Sequence, residues 1–98
     1  MKIQYRARSL ADIDEIFSYL EKRSPSGALN VLQAIFAGVQ SIAENPHAWQ
    51  ATDDAEIRVK TLPRYSYKIF YTILDHDTVE IIHVRHTSRR PWVRRGSD

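Results

Sequence analysis

Two apolar stripes of helical period, with a four-residue break between them, constrain this chain more than any other feature. Leu10, Ile13, Ile16, Phe17 and Leu20 recur at helical spacing. After the break Ser24-Pro25-Ser26-Gly27, so do Ala28, Leu29, Leu32, Ile35, Phe36, Val39, Ile42 and Ala43. So short a link between amphipathic helices predicts an antiparallel helical hairpin that needs another apolar surface to cover. Ser9 and Asp12 read as a capping box with the shorter acid, opening a helix from Leu10 to Lys22. Asp12, Asp14 and Glu15 then sit in its first turns, and Lys22 and Arg23 at its end, as the macrodipole favours. Ser24 caps the second helix, Pro25 takes its first position, and Asn45-Pro46 stops it. Gly38 inside that helix costs about 1 kcal/mol relative to alanine, and its retention points to close approach of the partner helix.

The surface to cover is a sheet. Met1 to Arg6 sets Ile3 and Tyr5 against Lys2, Gln4 and Arg6, the period of a half-buried strand. Glu56 to Leu62, Tyr67 to Leu74 and Thr78 to His86 are rich in aromatic and β-branched residues, and short turns at 63–66 and 75–77 make them an antiparallel meander. The order β-α-α-β-β-β is an α+β layout with a helical hairpin packed on one face of a mainly antiparallel four-stranded sheet. The first strand must join the later three, and the other sheet face stays partly open. Ile69, Tyr71 and Ile73 share one strand face and are the predicted helix-packing set.

Ninety-eight residues make one domain, 1–98, with a basic tail from about residue 87. A core of that size leaves room for a shallow binding face and not for a deep cavity. The absence of cysteine excludes a disulfide framework and a thiolate metal cluster. No run approaches the roughly 18 apolar residues of a membrane span, so a soluble, cytoplasmic protein without a membrane partner is expected. Charge is uneven: residues 1–54 hold five Lys/Arg against seven Asp/Glu, and residues 55–98 hold nine against five. Arg85, Arg89, Arg90, Arg94 and Arg95 fall within one short stretch, which should seek an anionic surface.

With the elements in order, Ile57-Arg58-Val59, Leu62-Pro63-Arg64-Tyr65, Tyr67-Lys68-Ile69-Phe70-Tyr71 and Ile81-Ile82-His83-Val84-Arg85-His86 leading into Arg89-Arg90-Pro91-Trp92 become a recognisable series. It resembles the RelE/ParE superfamily of type II toxin-antitoxin toxins over nearly the whole chain. The strand ending in His86 and followed by two arginines and a proline looks like the ParE branch. That resemblance implies one of two activities. ParE-like members inhibit DNA gyrase by binding it, whereas RelE-like members are ribosome-dependent mRNA endoribonucleases. Either kind is neutralised by a cognate antitoxin, here a ParD-like chain with an acidic C-terminal segment, and such pairs act in plasmid stabilisation. Some ParE-like chains bind an antitoxin and are not toxic.

RNA cleavage without a metal needs a proton acceptor, a proton donor and cations at the phosphate. Lys68 matches a phosphate-binding arginine of RelE-like members, but no tyrosine follows Tyr71 and the arginine expected past the last strand is replaced near Thr87. The departure favours the gyrase reading, in which the chain is an inhibitor and not an enzyme. The alternative nuclease set is Lys60, Lys68, His83 and His86. The expected target-binding set is Arg58, Lys60, Arg64, Lys68, His86, Arg89, Arg90 and Trp92, with Arg58 and Lys60 sharing a strand face that Lys68 meets across the ladder. Ile13, Phe17, Leu32, Phe36 and Val39, core residues of the hairpin, also mark where surplus apolar surface would take the antitoxin. His83 and His86, three apart on one strand, project to opposite faces and share no metal ion. No metal and no cofactor are expected.

Overall fold

A computed structural model describes residues 1–87. The elements are β1 (Lys2–Tyr5), α1 (Ala7–Glu21), α2 (Pro25–Glu44), β2 (Arg58–Leu62), β3 (Tyr67–Asp75) and β4 (Thr78–His86). The sheet order is β1-β4-β3-β2, with β1 parallel to β4 and the other pairs antiparallel. The first strand therefore joins the meander at its last strand, which the long helical crossover makes possible.

α1 grows directly out of β1. The Arg6 N–H donates to the Ile81 carbonyl at 2.9 Å, extending the parallel ladder by one bond, and the helix begins at the next residue. The expected capping box is absent: Arg6 is the N-cap and makes no side-chain cap. Ser9, three residues inside, donates its hydroxyl to the Arg6 carbonyl at 2.7 Å. At α2 the expected cap is present, Ser24 Oγ accepting the Gly27 N–H at 3.1 Å with Pro25 in the first turn. By length and composition α2 is apolar enough to cross a membrane, contrary to the expectation from run length. Its stripe packs on the sheet, and Val31, Ile35, Val39 and Ile42 are buried there.

Ile69, Tyr71, Val79 and Ile81 meet that stripe and are fully buried, with Ile73 packed against them, so the predicted helix-packing set is in place. Gly38 is where α2 comes closest, but to the sheet rather than to α1. A β-carbon there would stand 2.8 Å from Leu62 Cδ2 and 2.9 Å from Ile69 Cδ1. The segment 46–57 wraps back along β2: the Val59 N–H donates to the Gln50 carbonyl, the Thr52 N–H donates to the Ile57 carbonyl, and the Tyr71 hydroxyl donates to the Pro46 carbonyl at 2.5 Å. An otherwise open sheet edge is thereby paired near Val59.

One irregularity sets the geometry of β4. Phe70 pairs with His83 and Tyr71 with Ile81, which leaves Ile82 as an extra residue. The bulge lets Ile81 and Val84 both face the helices although they are three residues apart.

Candidate functional site

The alternation of β3 assigns every neighbour to a face. Tyr67, Ile69 and Tyr71 point to the helices, and Lys68, Phe70 and Thr72 point away. The register then builds rows across the face turned away from the helices, where Thr61 is exposed, Lys68 and Arg85 are half-exposed and Phe70 is buried: Thr61–Lys68–Arg85, then Val59–Phe70–His83, then Thr72–Glu80. Lys68 and Arg85 are directly opposed. Neither has a carboxylate within ion-pair distance among the described residues. Glu80, the carboxylate of this face on β4, is held by Arg6 at 2.7 Å. Arg85 was not among the expected site residues, because only the strand register reveals that it stands opposite Lys68.

The same register corrects the expected basic cluster. Arg58 and Lys60 do share a face, but they pair with Tyr71 and Ile69, so that face is the helix-covered one. Lys68 pairs with Thr61, the residue after Lys60, and so lies on the other side of the sheet. Arg58 donates through Nη1 to the Trp49 carbonyl at 2.6 Å, and the Lys60 ammonium lies 4.3 Å from the Trp49 ring centroid. Both cations serve the 46–57 segment. Burial raises the Tyr71 hydroxyl above its ordinary pKa, and Arg58 opposes part of that rise.

The two histidines do project to opposite faces, each with its own partner. The His83 Nδ1–H lies 3.0 Å from Asp12 Oδ2, and the same oxygen accepts the Val84 N–H at 3.1 Å. Asp12 Oδ1 is 3.4 Å from Arg8 Nε. Asp12 therefore closes the edge of β4 where β1 has ended, instead of capping α1, and it is the acid that spacing along the chain did not reveal. His86 stands edge-on to Tyr67, ring centroids 5.0 Å apart, on the helix side. Among the described residues no cluster of His, Asp and Glu is arranged to hold a metal.

Arg64 is exposed in the β2–β3 turn, its guanidinium 5.6 Å from the Tyr65 ring. Of the five hairpin residues expected at an antitoxin surface, Ile13 and Val39 are buried in the core and unavailable to a partner. Leu32 packs against that core, Phe17 is half-buried and Phe36 is exposed. Leu10, Tyr19 and Leu29 are also exposed on the helices. Between α1 and β4 runs a groove of about 580 Å³ lined by Arg8, Glu15, Tyr19, Leu20, Arg85 and His86, among others. Arg89, Arg90 and Trp92 lie outside the described residues.

Residues 3–91 match the family model described as the ParE toxin of the type II toxin-antitoxin system, parDE. The chain belongs to the ParE toxin family. This ParE-family chain is also 32% identical over 89 residues to a putative toxin, Y4kP, of Sinorhizobium fredii, covering 91% of each. Its fold is similar to a structure from the chromosomal ParDE system of P. aeruginosa, with a TM-score of 0.78 at 20% identity over 90% of this chain and 97% of that one. The isolated E. coli RelE toxin is similar at a TM-score of 0.57 and 15% identity, covering 91% of this chain and 86% of RelE. The ParE-family fold therefore extends to RelE structurally, and the fold alone does not choose between the two activities.

Proposed function

We propose that this ParE-family chain inhibits DNA gyrase by binding, in the cytoplasm, and is held silent by a cognate antitoxin. The observation that carries the reading is how the sheet register divides the alternative nuclease set. Lys60 lies on the helix-covered face beside Trp49, and Lys68 lies on the open face. His83 is engaged by Asp12, and His86 stands against Tyr67 on the helix side. General acid and base must both come within hydrogen-bond reach of one reacting centre, and the register splits the set: Lys68 and His83 lie on the face away from the helices, Lys60 and His86 on the other. Binding asks for less, a face with charge and shape, and the Lys68–Arg85 row supplies one. The antitoxin reading is supported by the structural similarity to a toxin–antitoxin system and by the exposed Phe36, Leu29 and Tyr19 on the helices, apolar surface that suits a segment folding on binding.

The test is induction of the chain in cells with a reporter plasmid, followed by plasmid topology and by mapping of mRNA 5′ ends. The reading predicts lost negative supercoiling and broken plasmid without new mRNA ends, unchanged in the Lys60→Ala variant and suppressed by the antitoxin. New mRNA ends at codon boundaries with normal plasmid topology would establish the nuclease instead. Normal growth and topology from a folded chain would make it a non-toxic, antitoxin-binding member.

A further inference from the structure

We infer that the Thr61–Lys68–Arg85 row contacts the phosphodiester backbone of duplex DNA. Lys68 and Arg85 are opposed in register on adjacent strands, and like charges placed so destabilise a sheet. A folded chain ordinarily relieves such a pair with a carboxylate. Here none lies within ion-pair distance among the described residues, and Glu80, the acid of this face on β4, is held by Arg6. An external anion such as a phosphate would relieve the pair.

The row also has the composition of a backbone contact. Strands lie about 4.8 Å apart, so Thr61, Lys68 and Arg85 present a hydroxyl, an ammonium and a guanidinium in line across three strands. Those are the side chains that contact phosphate oxygens without reading sequence. Single-stranded nucleic acid is gripped by bases stacking on aromatic side chains. The aromatic residue of the next row, Phe70, is 4% exposed and offers no such platform. His83 beside it is engaged by Asp12. Among the described residues this row offers cations and no exposed ring, which suits a duplex backbone rather than splayed bases, and phosphate rather than an apolar protein patch. The inference deepens the gyrase reading, since gyrase works on DNA, but it is measured without gyrase.

The experiment is fluorescence anisotropy of the full chain, purified free of antitoxin, against a short labelled duplex over a range of salt concentrations. Each phosphate contact contributes about 0.9 to the slope of log K against log salt. Lys68→Gln/Arg85→Gln should therefore weaken binding and flatten that slope by about 1.8. Lys22→Gln/Arg23→Gln, at the far end of α1, should leave the slope near that of the wild type, and matched urea midpoints will show that both variants are folded. No binding by the wild type, an unchanged slope in the Lys68/Arg85 variant, or preference for single-stranded RNA of equal length would overturn the inference. DNA binding that depends on this row in a chain that leaves gyrase unaffected would sink the gyrase reading and leave the site standing. Inhibition of gyrase with no DNA contact at this row would do the reverse.

Discussion

Asp12 of α1 and His83 of β4 meet at 3.0 Å across the seam where the parallel strand β1 has ended, and the same carboxylate oxygen takes the backbone N–H of Val84. Both side chains are largely buried. The pair does for the edge of β4 what another strand would have done, and it anchors α1 to the sheet beside the groove.

Asp12→Ala should therefore cost about 1–3 kcal/mol, the penalty for leaving a buried donor without its acceptor. Asp12→Asn, which keeps an oxygen for the Val84 N–H, should cost less. Urea unfolding of the two variants checks this, and equal losses would mean that the Val84 bond contributes little.

Gly38→Ala sets helix propensity against packing. Alanine favours the helix by about 1 kcal/mol, but its β-carbon would stand within 3 Å of Leu62 and of the fully buried Ile69. Overpacking of a core costs about 1–3 kcal/mol, so the net effect should be a lower melting temperature. A stabilised variant would show that the two side chains swing aside freely.

The helical hairpin, the meander and the helix-packing face of β3 are legible in the sequence, because each rests on a local period: apolar stripes at 10–20 and 28–43, alternation at Ile69, Tyr71 and Ile73. The candidate site was less legible. Parity on one strand correctly joined Arg58 to Lys60, but only the offset between β2 and β3, pairing Lys60 with Ile69, decides that this face is covered. Arg85 is legible as part of the basic stretch, but its place opposite Lys68 is fixed only by the register. Asp12 was misread because an acid near a helix start is usually a cap, and its true partners lie more than 70 residues away. Long-range register is a tertiary property, and no window of sequence carries it.

Tyr71→Phe removes the hydroxyl that the buried Pro46 carbonyl accepts, and should cost about 1–2 kcal/mol near neutral pH. It should also alter alkaline behaviour. Burial raises the folded Tyr71 above its ordinary value of 10.0, and Tyr5 likewise. The folded state thus holds protons that the unfolded chain releases first, so this contribution is intact below about pH 10 and is lost as pH rises beyond it. Unfolding free energies measured on both sides of that pH should converge for the wild type and Tyr71→Phe, and a constant difference would contradict the account.

Lys68→Glu places a carboxylate opposite Arg85. A cross-strand pair of opposite charge contributes about 0.2–1 kcal/mol relative to a neutral pair, so the variant should be more stable than the wild type while losing toxicity. Thermal melting and a growth assay read the two effects separately. A stabilised but fully toxic variant would remove the open face from the mechanism.

The central claim is that this ParE-family chain acts by binding gyrase and not by cutting RNA. Its most direct test is a supercoiling reaction with purified gyrase, ATP, relaxed plasmid and the antitoxin-free chain, scored for both lost supercoiling and accumulated cleaved DNA. The account predicts both, reversed by added antitoxin and weakened in Lys68→Glu. Full supercoiling in the presence of a folded chain that still binds its antitoxin would contradict it.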